Sequence, residues 1–173
     1  LKAEADQAAS GIYKKIEIDL KQYPILGWRW KIHHILAQGD EKTKAGDDYA
    51  ARVYVIFDFD RKTASFWDRS KYELMKFLYG EYPPAGALNY IWANRLPKGQ
   101  SIPNAYAREA KMIAVESGPE YAEQWREERV NVLEDYKRLF GKEPPPVSGI
   151  AVMTDADDTG GSAEGYYDDL SFY

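Results

Sequence analysis

The chain contains no cysteine. That excludes disulfide scaffolds, thiolate zinc sites and cysteine nucleophiles together. Histidine is scarce: the two residues, His33 and His34, are neighbours whose rings point to opposite faces of a strand, so a shared metal is not expected. No run approaches the roughly 18–20 apolar residues that a spanning helix requires, and no signal-peptide core is visible. Positive charge is not in excess either. With 23 Lys+Arg against 28 Asp+Glu, the net charge of -5 argues against a nucleic-acid groove or a polybasic membrane surface. There is no Gly-rich phosphate loop, no nucleophile elbow and no basic aromatic motif for RNA. Catalytic residues are therefore not assigned, and an enzyme is the less favoured reading.

What is present is aromatic. Fourteen per cent of the 173 residues are Tyr, Trp or Phe, a surplus that suits β-sheet and flat recognition surfaces alike. The length suits a single domain over 1–173, and 45% hydrophobic with 29% charged residues is an ordinary globular balance. Since the first residue is Leu1, an upstream part of the gene product is expected to precede it.

Most segments alternate with period two, the strand pattern. Ile12, Ile16, Ile18 and Leu20 share one face of the first such run. Leu26, Trp28, Trp30 and Ile32 share a face of the second, and the two tryptophans there are expected in the core. From 49 to 58, Tyr49, Ala51, Val53, Val55 and Phe57 face one way, with Arg52, Tyr54 and Asp58 opposite. Further strands are expected over 88–94, 110–116, 147–154 and 165–173, and a short one at Leu1–Ala5. Two helices are expected to interrupt them. One opens at the capping box Ser70–Glu73, carries Met75, Leu78 and Tyr79, and stops at Gly80. The other opens at Ser117–Glu120 and runs through Tyr121, Trp125, Val132, Tyr136, Leu139 and Phe140 to Gly141. Strands that do not alternate regularly with helices predict a mainly β fold, an antiparallel β-sandwich with two inserted α-helices.

Three constellations bear on function. Asp155-Ala156-Asp157-Asp158-Thr159-Gly160 resembles the front half of a calcium loop, but Tyr166 stands where a bidentate Glu belongs; it reads as an acidic turn or as a structural calcium on Asp155 and Asp157. Arg52, with Asp47, Asp48 and Asp155 as candidate partners, is either a salt bridge fixing a loop or a ligand-gripping guanidinium. Tyr90, Trp92 and Asn94 share a strand face that ends at Arg95, a ring beside an amide and a fork of donors. Taken together, Arg52, Tyr54, Trp92, Asn94 and Arg95 are the candidate ligand-binding residues.

Four runs carry a family resemblance: Gly27-Trp28-Arg29-Trp30-Lys31, Gly46-Asp47-Asp48-Tyr49-Ala50-Ala51-Arg52-Val53-Tyr54, Leu88-Asn89-Tyr90-Ile91-Trp92-Ala93-Asn94 and Gly149-Ile150-Ala151-Val152-Met153-Thr154-Asp155. With the ending Tyr167-Asp168-Asp169-Leu170-Ser171-Phe172, the chain resembles the bacterial family catalogued as domain of unknown function 3047 over nearly its whole length. The segment from Asp60 to Tyr82 departs from the shorter connections of that family. The resemblance implies a bacterial source, frequent export behind a leader, and no catalytic residues to carry over. The last strand is also similar to that of galactose-binding-like and other carbohydrate-binding jelly rolls, which implies a sugar- or protein-binding module that often holds calcium. The resulting expectation is a non-catalytic periplasmic or extracellular jelly roll that binds a saccharide or similar polar ligand, with no nucleic-acid partner. The alternatives are a hydrolase or lyase using paired carboxylates, and an envelope interaction module.

Overall fold

A computed structural model describes residues 1–58 and 85–173. The described residues form ten strands: β1 (Lys2–Asp6), β2 (Ala9–Ile18), β3 (Ile25–Ile32), β4 (Arg52–Phe57), β5 (Gly86–Ala93), β6 (Ser101–Pro103), β7 (Ala110–Ser117), β8 (Arg126–Asn131), β9 (Val147–Asp155) and β10 (Ser162–Phe172). They assemble into a four-stranded sheet in the order β1-β10-β3-β8 and a six-stranded sheet in the order β2-β9-β4-β5-β7-β6. One helix is described, α1 (Val132–Phe140). The helix expected over 70–80 lies outside the described residues.

The sheets pack face to face through aromatic rings. Trp28 and Trp30 of β3 lie 5.6 and 5.7 Å from Tyr90 and Trp92 of β5, and all four side chains are buried. Such pairs bury large apolar area and add edge-to-face attraction. Val53, Val55 and Phe57 of β4 join this core, as alternation predicts. The short opening strand is present, paired with β10 through Ala3 and Gly165.

Four expectations need correction. First, the β5–β7 pair is parallel while the other pairs are antiparallel, so neither an all-antiparallel sandwich nor an eight-stranded jelly roll describes these ten strands. Second, the chain from Ser117 to Asn131 is not helical. Glu123 adopts a positive φ of 65°, and the residues after it form β8, which pairs antiparallel with β3 from Trp30↔Arg126 to Ile25↔Asn131. The helix starts only where Asn131 caps it, its side chain accepting from Glu134 N at 3.1 Å, and it ends at Gly141 in the left-handed region, φ 69°. Third, the helical stripe therefore breaks: Tyr136 is buried, stacked 4.3 Å from Phe140, while Trp125 is 46% exposed. Fourth, burial along the apolar face of the first run is graded: Ile12 is exposed, Ile16 and Ile18 are half-buried and Leu20 is buried.

The six-stranded sheet is covered on its inner face and on part of its outer face. Its outer face carries a second cluster of Tyr49, Ile91, Ala93, Leu96, Met112 and Ala114, none more than 3% exposed. That covering places the first group of candidate site residues indoors.

Candidate functional site

Arg52 opens β4 and shares the outer face of the six-stranded sheet with Tyr54, because alternate residues of a strand point the same way. Its side chain is 5% exposed and is ion-paired through Nη2 to Asp155 Oδ2, with Asp47 Oδ2 3.9 Å from Nη1. The guanidinium also lies over two rings, 4.9 Å from Tyr49 and 5.6 Å from Tyr54. Asp47 is bound further: Tyr49 Oη donates to it at 3.0 Å, and Asn104 Nδ2 donates to both oxygens at 3.1 and 2.9 Å. Burial pushes the Asp47 carboxyl above its ordinary range, against Asn104, Arg52 and Tyr49, which pull it down. The salt bridge that ties the loop to the sheet is thus present.

It does not account for every polar atom. Tyr54 faces Asn89 across the β4–β5 ladder, and Asn89 is 1% exposed. Asn89 lies beside the Tyr54 hydroxyl, yet neither of its amide atoms reaches a partner at hydrogen-bonding geometry. Arg52 Nε is likewise buried without a partner. Burial pushes the Tyr54 hydroxyl up, and that hydroxyl donates to Met153 Sδ at 3.8 Å. Alternation places Asn89 on the face opposite Tyr90, Trp92 and Asn94, and no local pattern marks it as a site residue.

The other candidates lie elsewhere. Trp92 is 1% exposed between the sheets, and its Nε1 donates to Gly118 O at 3.0 Å, so its ring has no face open to solvent. Asn94 and Arg95 meet the buried carboxylate of Glu41. The amides of Asn94, Arg95 and Leu96 donate to Glu41 at 2.5, 3.0 and 3.2 Å, which turns the chain sharply after β5. The Asn94 side chain accepts from Leu36 N at 2.9 Å and donates to Asp48 O at 2.7 Å. It comes so close to Gly39 that a Cβ there would lie 2.1 Å from Asn94 Nδ2, so only glycine fits. Arg95 reaches Ala37 O at 2.9 Å from an exposed position. Both residues hold loops, and neither joins Arg52.

The acidic turn gathers one more carboxylate than the spacing suggested. Oxygens of Asp48, Asp155 and Asp157 lie within 4.8 Å of one another. Asp155 holds Arg52 and accepts from Tyr49 N at 2.9 Å, while Asp48 accepts from Asp158 N and Thr159 N at 3.3 and 2.6 Å. The group still free is the exposed Asp157, with the buried, unpartnered hydroxyl of Thr159 close by. Calcium takes six to eight oxygens, and this donor set, centred on a carboxylate that already holds a guanidinium, does not suit it.

A cleft of about 810 Å³ is lined by Lys15, Glu17–Lys21, Asp58, Leu133 and Glu143–Ser148, and its buried liners, Leu20 and Val147, are apolar. No helix among the described residues is long and apolar enough to cross a membrane. A search of the curated proteins found no match. The model of the family described as "Protein of unknown function (DUF3047)" matches residues 1–171, and the chain belongs to that family.

Proposed function

We propose that the protein binds a small neutral polar ligand of saccharide type on the outer face of the six-stranded sheet, at Arg52, Tyr54 and Asn89. The observation that carries this reading is the set of unmet hydrogen-bonding groups there, Arg52 Nε and both amide atoms of Asn89. A buried polar group left without a partner costs about 1–3 kcal/mol. A hydroxyl both donates and accepts, so a polyhydroxylated ligand can answer a guanidinium N–H and both ends of an amide at once. Tyr54 is half-buried, as are Ile56, Ala87, Ala151 and Met153 around it, so this face meets solvent at its edge. Two carboxylates, Asp47 and Asp155, already face the one guanidinium, which disfavours an anionic ligand. Trp92, Asn94 and Arg95 are left out of this reading because each is engaged by the fold itself.

Glycan-array screening followed by calorimetry of wild type, Asn89→Leu and Tyr54→Phe is the test. The wild type is expected to bind at least one glycan, and Asn89→Leu to bind it at least tenfold more weakly without losing stability. An array with no binding, or equal affinity in Asn89→Leu, would overturn the reading. An exported chain would meet such ligands in the periplasm or outside the cell, and fractionation of the native host addresses that part separately.

A further inference from the structure

A second cleft, about 550 Å³, opens where β8, the edge of the four-stranded sheet, stands beside β7 and α1. Its charged liners are Lys98, Glu128, Arg129, Glu134, Asp135 and Arg138. That volume lies within the range of small-molecule sites. By number the liners are balanced. By partnership they are not.

Each cation in and behind this cleft is already engaged. Lys98 Nζ and Arg126 Nε lie 3.2 and 3.1 Å from the same oxygen of Glu116, which a bulge in β7 sets opposite Trp92. The other Glu116 oxygen accepts from Ser117 N at 3.1 Å. Arg138 pairs with Asp135 at 2.6 Å, and Asp135 also accepts from Tyr90 Oη at 3.1 Å. Arg129 lies over the Tyr173 ring at 5.1 Å. Two acids are left. Among the described residues, neither Glu128 nor Glu134 has a cationic group within 4.0 Å. Glu134 is exposed at the rim. Glu128 is 9% exposed in the wall, and its one hydrogen bond comes from Trp30 Nε1 at 3.3 Å.

We propose that this cleft binds an organic ammonium group, held by Glu128 with Glu134 at the rim. An ammonium brings the counter-charge that both acids lack and three donors for carboxylate oxygens. A neutral ligand would leave Glu128 with no cation in contact, and an anion would meet two carboxylates that lack one. The titration of Glu128 agrees. Burial pushes its carboxyl up to about 7; Lys98, Trp30 and Arg126 pull it down, and Glu116 pushes it further up. An ammonium against it favours the ionised form, so binding near neutrality releases a proton. Glu134, Asp135 and Arg138 on α1, with Arg129 on β8, complete the charges lining the cleft.

The experiment is a titration of wild type and Glu128→Gln at about pH 6.5 with glucosamine, glucose and N-acetylglucosamine, followed by amide-resolved NMR and by calorimetry in two buffers of different ionisation enthalpy. The three probes share a ring and differ in the ammonium. Glucosamine is expected to shift β7, β8 and α1 amides saturably with release of a proton. Glucose and N-acetylglucosamine are expected to leave those amides unmoved. Glu128→Gln is expected to weaken glucosamine at least tenfold and to abolish the proton release, and Glu134→Gln to weaken it two- to threefold. Equal shifts from all three sugars, unchanged affinity in Glu128→Gln, or no saturation by about 50 mM would overturn the proposal. Glucose shifts confined to the Arg52 face would bear on the saccharide reading and leave this one standing or falling on the glucosamine data alone.

Discussion

The two buried charge clusters solve opposite problems. Around Arg52, one guanidinium serves two carboxylates, Asp155 and Asp47, and the rest of Asp47 is neutralised by Tyr49 and Asn104. At the β7–β8 edge, two cations serve one carboxylate, Glu116, and the next acid along, Glu128, is left with an indole N–H. The first cluster leaves hydrogen-bonding capacity unmet at Arg52 Nε and Asn89, whereas the second leaves Glu128 with no cation in contact. The lesson is that what a buried polar cluster can recognise follows from what its own members fail to satisfy, and not from the count of charges in it.

Three measurements break or sharpen that contrast. The largest effect is expected from Arg52→Met, which strands Asp47 and Asp155 in the interior; urea unfolding should show a loss of about 3–5 kcal/mol. A loss below about 1 kcal/mol would mean that Arg52 is not what holds those carboxylates. The next concerns Glu128. Its folded value, about 7, lies above the ordinary glutamate value of 4.5, so the folded state binds the proton more tightly. The stability it confers is therefore present below about pH 4.5 and is lost as pH rises through about 7, a fall of about 3 kcal/mol. Glu128→Gln should flatten that fall, while the raised Asp47 contributes with the same sign in both proteins. A wild-type profile with no loss between pH 5 and 8, by chemical denaturation, would count against a desolvated Glu128. The smallest expected effect is at the end of β8. Asn131→Ala removes the cap of α1 and should cost about 1 kcal/mol, with no change in the pH profile, because Asn131 does not titrate.

The fold was legible wherever one face of a strand meets the core. Trp28, Trp30, Val53, Val55 and Phe57 were readable as inward-facing from alternation alone, and all are buried. Alternation fails where both faces are covered. On β5, Trp92 packs between the sheets while Ile91 belongs to the second cluster and Asn89 is buried on the same face, so a polar residue there did not signal water and an aromatic did not signal a surface. Helical spacing between Tyr121 and Val132 was equally misleading, since Arg126–Asn131 pairs with β3, about a hundred residues away in sequence. Of the candidate ligand residues, Arg52 and Tyr54 share a face, and the residue that joins them, Asn89, is recognisable only through its place in the ladder.

The sequence alone determined a cysteine-free, mainly β chain, the positions of most strands, the tryptophan-bearing core and the stop at Gly141, because these depend on local periodicity and backbone preference. Only the tertiary structure decided the 4 + 6 division of strands with its parallel pair, the conversion of a helical pattern into β8, and the leftover polarity at Asn89 and Glu128. Those depend on which residues distant in sequence come to lie side by side. Whether a buried group is satisfied is a property of its neighbours, which no local pattern encodes.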